Sequence, residues 1–244
     1  HVFGPLCSQT HAVMPAFTMK KIDTTVAPAS AYLGALGLTT GLTAYFGIVD
    51  VGQVKPGDTV VVSGAAGAVG SVAGQIARLS GASKVIGIAG GAHKSKFLVD
   101  ELKFDAAIDY KNENVAARLD ELAPDGINVF FDNVGGDILD DVLMRIVEGS
   151  RIVICGGISQ YENMDDVRGP KNYLKLAERR ARMEGFAVFH FAEHYARAEK
   201  SLADWLRSGE LVVREQIEQG VENFPAVMNL LMTGGHYGKL LLKV

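Results

Sequence analysis

The residues best suited to chemistry form a glycine-spaced loop, Gly64-Ala65-Ala66-Gly67-Ala68-Val69-Gly70. It follows the dinucleotide fingerprint G-x-G-x-x-G with Ala65 in place of the first glycine. Gly67 would let the backbone approach a pyrophosphate, and Gly70 would let a helix pack close to a strand. The free N–H groups of that helix start would favour anionic oxygens. A glycine-rich turn alone is a weak signal. Here a β-branched run, Thr59–Ser63, precedes it and a helical pattern from Val69 to Leu79 follows, which is the context the fingerprint requires.

A fold specific for NAD places Asp or Glu at the end of its second strand, to accept from the adenosine ribose 2′-hydroxyl. The second strand of this chain ends in Ala89-Gly90-Gly91-Ala92, then His93 and Lys94, and the next acid is Asp100. A lone lysine in a first helical turn is ordinarily just solvated. With the acid missing, Lys94 becomes a counter-ion for a 2′-phosphate, so the expected cofactor is NADP(H).

Other candidates weigh less. His190 and His194 stand at helical spacing without a third ligand, so a metal pair is not expected. Asp140-Asp141 and Asp165-Asp166 read as solvated faces, because adjacent carboxylates diverge on a helix. Met228 and Met232, four apart, and Trp205 read as core packing. Cys155, at a strand end, has no neighbouring charge to activate it as a nucleophile.

The elements that must position the loop alternate strand and helix. Strands are expected at Thr59–Ser63, Lys84–Ala89, Ala106–Tyr110, Asn128–Asp132, Arg151–Cys155, near Glu184–Val188, at Leu211–Ile217 and at Lys239–Val244. Helices are expected from about Thr40 to Val49, and at Val69–Leu79, Lys94–Leu102, Asn114–Leu122, Asp137–Val147, Glu193–Arg207 and Phe224–Met232, with a polar loop at Gln160–Gly169. This is βαβ rhythm, and strands so apolar are covered on both faces. The expected fold class is α/β, a doubly wound parallel sheet of about six strands.

Of 244 residues, 48% are hydrophobic, enough for a sizeable core. A formal charge of −4 with scattered basic residues gives no field for nucleic acid or anionic lipid, which leaves a small molecule as the expected partner. No apolar run spans a bilayer and no signal-peptide core opens the chain, so it reads as cytoplasmic. The two cysteines, Cys7 and Cys155, build neither a disulfide framework nor a cysteine-rich zinc site. The start at His1 and the patternless stretch through Thr25 read as a fragment whose earlier part is missing.

The glycine loop and Lys94 occur together with three phrases: Gly41-Leu42-Thr43-Ala44-Tyr45-Phe46-Gly47, Phe131-Asp132-Asn133-Val134-Gly135-Gly136 and Cys155-Gly156-Gly157-Ile158-Ser159. From about Ala35 onward this set resembles the prostaglandin and leukotriene reductase branch of the zinc-independent medium-chain dehydrogenases/reductases. The resemblance implies an NADPH-dependent, metal-free reduction of the double bond of an α,β-unsaturated ketone or aldehyde, and a homodimer joined through edge strands. It implies that Gly67, Ala68, Val69 and Gly70 hold the pyrophosphate and that Lys94 and Tyr110 bind the 2′-phosphate end. Asn133 would meet a ribose. Cys155, Gly156, Gly157, Ile158 and Ser159 would line the nicotinamide side, and Phe186, Ala187 and Val188 would offer backbone groups to the carboxamide. Tyr161 resembles the tyrosine beside the substrate carbonyl, where it would polarise the oxygen or supply a proton.

Two departures stand out. The closing motif Gly-x-Asn-x-Gly-Lys here reads Gly234-Gly235-His236-Tyr237-Gly238-Lys239, with His236 in the place of the cofactor-contacting Asn. The GroES-like catalytic domain of the family is almost wholly absent. The resemblance divides the chain into a catalytic-domain remnant (1–34), an NADP-binding unit (35–212) and a return to the catalytic domain (213–244). A zinc alcohol dehydrogenase would need a cysteine ligand just before Thr43, and none lies between Cys7 and Cys155. An NADPH quinone reductase, or an NADPH-binding module without catalysis, remains as an alternative.

Overall fold

The computed structural model describes residues 1–161 and 164–244. The first elements are slight: β1 (Val2–Phe3) pairs antiparallel with β2 (Lys20–Lys21). Then a continuous helical segment begins in wide turns at Leu38–Leu42, tightens to α1 (Thr43–Phe46) and widens again over Gly47–Val51. Its glycines explain its position. A Cβ on Gly47 would lie 2.4 Å from the Phe131 ring, so this helix sits closer to the sheet than any side chain at that point would allow.

The repeating pattern follows as β3 (Thr59–Ser63), α2 (Ala68–Leu79), β4 (Lys84–Ala89), α3 (Ala92–Lys96), β5 (Ala106–Asp109), α4 (Val115–Leu122), β6 (Ile127–Asp132), α5 (Gly136–Leu143), β7 (Ile146–Ile154), α6 (Leu174–Glu178) and β8 (Arg182–Gly185). These six strands form one parallel sheet in the order β5-β4-β3-β6-β7-β8. The order reverses between β3 and β6, so the crevice above their carboxyl ends is the switch point of a doubly wound sheet.

Strand alternation builds the two covering layers. Val60, Val62, Phe131 and Val153 face the layer that holds α1 and α2, together with Ala198 and Leu202 of α7 (Tyr195–Ser208). Val61, Ile86, Ile88, Phe130 and Ile152 face the other way, onto Leu119 of α4 and Leu139 and Val142 of α5. All three valines of β3 are fully buried, each contributing about 1.5–3 kcal/mol relative to exposure. The polar N-terminus of α4 is capped by Asn114, whose side chain accepts from Ala117 N at 2.9 Å.

After α7 the chain forms β9 (Glu215–Gln219), α8 (Phe224–Met232) and β10 (Lys239–Lys243), with β9 and β10 in parallel register from Lys239 opposite Glu215. Just before β10, Gly238 donates its N–H to Ala66 O at 2.8 Å and bridges Gly67, which lays the closing motif against the glycine loop.

Several expected boundaries move. The helix expected to reach Val147 stops at Leu143, and Ile146-Val147 open β7 instead, because Gly126 at φ +88° lets β6 begin beside Arg145 and Ile146. The strand expected at Glu184–Val188 ends at Gly185. His190 pulls the chain into a turn by donating its backbone N–H to Ala187 O. The strand expected from Leu211 begins only at Glu215: the Gln75 side chain accepts from Val212 N and donates to Val212 O, occupying the groups a strand partner would need. Met228 and Met232, expected in the core, are exposed. The buried position of α8 is Val227, one residue away from that stripe. Trp205 packs against the core as expected.

Candidate nucleotide-binding site

The loop between β3 and α2 is shaped by its glycines. Gly64 adopts φ +57°, a left-handed conformation that favours glycine. A Cβ on Gly70 would lie 2.4 Å from Gly64 O and 2.8 Å from Ala65 Cα, so α2 could not approach the loop with any other residue there. Gly67 differs. Its backbone is extended, φ −81° and ψ 177°, and a Cβ would meet only Gly64 O at 3.2 Å. A methyl at Gly67 would thus make one tight contact that a shift of a few tenths of an ångström relieves, and, its chain neighbours apart, no other atom lies within 4 Å of it. Gly67 N donates to Gly64 O at 3.0 Å, so the N–H groups an anion would meet are those of the first turn of α2 that follows it.

Beneath the loop, Asp132 ends β6 with no exposed surface. Ser63 Oγ donates to Asp132 Oδ1 at 2.7 Å, and Val134 N and Gly135 N donate to the same carboxylate at 3.0 Å. Burial raises the Asp132 pKa, and the bonds from Gly135, Ser63 and Val134 oppose that rise. Asn133 is locked in turn: its N donates to Ser63 Oγ at 2.8 Å and its Nδ2 to Ser63 O at 2.7 Å. Asn133 therefore stands directly across from Gly64, its Cβ 3.4 Å from the place a Cβ on Gly64 would take.

The Cys155–Ser159 segment folds onto this platform. Cys155 N and Gly156 N donate to Asp132 O at 2.8 and 3.1 Å, Ile158 N to Asn133 O at 3.1 Å, and Ser159 Oγ to Val134 O at 2.6 Å. Burial, with Asp132 nearby, pushes the Cys155 thiol up to about 12, which fits a packed residue and not a nucleophile. Tyr161 Oη accepts from Gly157 N at 3.1 Å while the ring stays exposed. That bond orients the hydroxyl and leaves its own hydrogen to donate elsewhere.

At the other end, Lys94 in α3 donates from Nζ to Gly234 O at 2.8 Å, tying α3 to the closing motif. Burial lowers the Lys94 pKa, and the charge of Lys111 lowers it further. Tyr110, expected as the last strand residue, lies just beyond β5 with its ring over Gly90. His236 is half-buried. Its Nδ1 lies 3.2 Å from Leu230 O, which requires the proton on Nδ1 because a carbonyl only accepts. Burial first, then the Lys94 charge, lowers the His236 pKa. Gly238 closes the motif at φ +68°, where a Cβ would lie 2.2 Å from Arg214 O, and Arg214 in turn covers the Tyr237 ring at 4.5 Å.

Gly67–Gly70, Asn133, Cys155–Ser159 and the His236 segment are thus gathered around one crevice, with Lys94 and Tyr110 at its end. Phe186–Val188 are placed less freely than expected. Ala187 N and O are both engaged by His190, and Val188 O accepts from Tyr195 Oη, so only part of that backbone is open to a ligand. His190 therefore serves a local turn. Asp140, expected on a solvated face, accepts from Asn172 N at 2.9 Å and anchors the segment before α6. Asp165 and Asp166 are exposed. Among the described residues no three His, Cys, Asp or Glu side chains converge as a metal would need, and no helix is long and apolar enough to cross a membrane.

Sequence reasoning did not single out Ser63, Asp132, Lys111 or the pair in which Lys239 Nζ donates to Thr40 Oγ1 at 3.2 Å. The signal for Asp132 was present, an acid at a strand end followed by Asn-Val-Gly-Gly. The other three depend on contacts far apart in sequence.

Residues 68–205 match the family described as zinc-binding dehydrogenase. Over 246 aligned residues the chain is 47% identical to the Bacillus subtilis protein named “Putative NADP-dependent oxidoreductase YfmJ”, covering 100% of this chain and 72% of that one. It is 39% identical to an NADP(+)-dependent 2-alkenal reductase of Nicotiana tabacum, covering 95% of this chain and 67% of the relative. The crystal structure of CurA from Vibrio vulnificus in complex with NADPH superposes with a TM-score of 0.83 at 40% identity, covering 89% of this chain and 66% of that one. The chain thus spans about two-thirds of the length of the proteins it matches.

Proposed function

Because the chain belongs to the zinc-independent reductase branch of the medium-chain dehydrogenases/reductases, we propose that it binds NADPH across the carboxyl ends of β3 and β6 and serves reduction of the carbon–carbon double bond of an α,β-unsaturated ketone or aldehyde. The observation that carries this reading is the contrast between the two loop glycines. Gly70 is required by the fold, since its Cβ would overlap the backbone of Gly64, whereas the space beside Gly67 is not claimed by any side chain of the loop. An open cradle at a helix N-terminus, at the switch point of the sheet, is what a pyrophosphate needs. The other polar groups fit the same ligand: Asn133 for a ribose, and Lys94 with Tyr110 beside a Gly90-Gly91 turn whose one acidic neighbour, Asp109, is spent on Gly91 N, for a 2′-phosphate.

When bound, NADPH supplies the hydride. The chain's own residues bind and orient. Asp132 fixes Asn133 through Ser63, and the same carboxylate holds Val134 and Gly135 in place. Cys155–Ser159, stacked on Asn133 and Val134 by backbone bonds, form the wall of the nicotinamide side. Tyr161, its oxygen accepting from Gly157 N, is set to donate its hydroxyl hydrogen to the carbonyl oxygen of the substrate, where negative charge develops as the β-carbon is reduced. Proton transfer from that hydroxyl to the enolate oxygen would give the enol, which takes a proton at its α-carbon from water as the hydroxyl proton is lost, leaving the saturated ketone.

In this reading residues 35–212 form the NADP-binding unit, while 1–34 and 213–244 belong to a GroES-like catalytic domain. The family resemblance extends the reading to a homodimer through an edge strand of the sheet, which sedimentation of the chain tests. The function is tested by following loss of NADPH with an α,β-unsaturated ketone, the matching saturated ketone and a quinone. Consumption with the enone, yielding the saturated ketone, supports the reading. Turnover of the quinone alone makes the chain a quinone reductase, and NADPH binding without any turnover makes it a binding module.

A further inference from the structure

Beyond β5 the chain turns sharply on Asp109. Its Oδ1 accepts from Gly91 N at 2.7 Å and Lys111 N at 3.1 Å, its Oδ2 accepts from Asn112 Nδ2 at 2.7 Å, and its own N donates to Glu113 Oε2 at 2.7 Å. The bond from Asn112, followed by that from Gly91, holds the Asp109 carboxyl below its usual range. A nearly buried carboxylate thus spends its acceptors on the turn. The turn in turn sets Tyr110 and Lys111 over Gly90. A Cβ on Gly90 would lie 2.9 Å from both Lys111 Cε and the Tyr110 ring.

The Lys111 ammonium has no ion-pair or hydrogen-bond partner among the described residues. It lies close enough to Lys94 for its charge to disfavour the protonated form of that lysine. Two ammonium groups near one another repel, the Asp109 carboxylate close to Lys111 is already spent on Gly91 N, Lys111 N and Asn112 Nδ2, and a dianion bound beside both lysines would relieve the repulsion. Lys94 Nζ is partly occupied by Gly234 O, whereas Lys111 has its full donor capacity free.

We propose that Lys111 is a second cation for the 2′-phosphate of NADPH, held over Gly90 by Asp109, and so a determinant of the preference for NADPH over NADH. The assignment rests on the nucleotide-binding reading above but adds a residue that neither the glycine loop nor the family resemblance points to. The ligand is a phosphate monoester on the adenosine ribose, and NADH is the same molecule without it.

Calorimetric titration of the chain with NADPH and with NADH tests this on the wild type, Lys94→Ala, Lys111→Met and Lys111→Arg. Lys111→Met is expected to weaken NADPH about five- to tenfold, in line with the loss of one partly exposed charge-assisted contact, and to leave NADH within about twofold. It should also flatten the salt dependence of NADPH binding, because one charge contact is removed. Lys111→Arg should keep the preference. Lys111 is exposed, so the urea midpoint should not move. If Lys94→Ala loses the preference while Lys111→Met keeps it, or if Lys111→Met weakens both nucleotides equally, the assignment of Lys111 is wrong and the cofactor reading stands. A wild type that does not distinguish NADPH from NADH overturns both.

Discussion

Alanine at Gly67 and alanine at Gly70 should fail in opposite ways. At Gly70 a methyl would lie 2.4 Å from Gly64 O, 2.8 Å from Ala65 Cα and 2.9 Å from Gly64 C, all backbone atoms that cannot rotate aside. Comfortable contacts are about 3.5–4.0 Å, so the loop or α2 must move by roughly 1 Å. Overpacking of this kind costs about 1–3 kcal/mol or more. The better helix propensity of alanine returns about 1 kcal/mol. Three backbone overlaps put the cost at the upper end of that range, so Gly70→Ala should lose about 2 kcal/mol net. At Gly67 the backbone already lies in the extended region open to any residue, and the methyl would meet one oxygen at 3.2 Å. The entropy alanine removes from the unfolded chain, about 0.4–1 kcal/mol, offsets that tight contact, so Gly67→Ala should stay within about 1 kcal/mol of wild type. Its methyl would instead occupy the cradle. Pushing it against a pyrophosphate should cost about 1–3 kcal/mol of binding, roughly 10- to 100-fold in Kd. Urea unfolding read by circular dichroism gives the first pair of values, and calorimetric titration with NADPH gives the second. Gly67→Ala that unfolds early, or that binds NADPH like wild type, would refute the assignment of the loop.

Three further outcomes follow from the site. Tyr161→Phe should lower kcat/KM for an enone about 10- to 100-fold with the NADPH Kd within about twofold, since it removes the hydroxyl proposed to meet the substrate and, on the cofactor side, one exposed bond from Gly157 N; a matched fall in NADPH affinity would make Tyr161 a cofactor contact instead. Asp132→Ala strands the donors of Ser63, Val134 and Gly135 in a buried site and should cost about 2–4 kcal/mol in urea unfolding, while a loss under about 1 kcal/mol would mean that the platform does not depend on it. For His236 the folded pKa lies below the ordinary value of about 6.5, so as the pH falls through the window beneath that value the unfolded chain takes up a proton that the folded chain does not, and stability is lost. A phosphate bound beside His236 would raise its pKa, in which case NADPH should bind more tightly as the pH falls through the same window, by more in wild type than in His236→Asn; parallel pH profiles in the two proteins would place His236 away from the phosphates.

What was legible in the sequence was local and periodic. The β-branched run of β3 and the pattern of α2 carried their own burial, and the glycine loop between them had nowhere else to be. The ends of elements were less legible because distant side chains set them. Gln75 holds Val212 out of a strand, and Gly126 opens β7 earlier than the helical pattern before it suggested. Met228 and Met232 had helical spacing, but spacing gives a stripe without saying which stripe is covered, and the buried position is Val227. At the candidate site, Asn133 is put forward from a motif and Lys94 from a missing acid. Lys111 was not, because its place over Gly90 depends on Asp109 bonding across to Gly91, a contact that no local pattern announces. Nor was the docking of Gly238 on the glycine loop, which joins residues 171 positions apart.

The most direct measurement is titration of the chain with NADPH and NADH by calorimetry, repeated on Lys94→Ala. The account predicts that NADPH binds much more tightly than NADH, and that Lys94→Ala brings NADPH down toward the NADH level while NADH itself barely changes. Failure of NADPH to bind, or an NADPH affinity indifferent to Lys94, would contradict the claim that this crevice is an NADPH site.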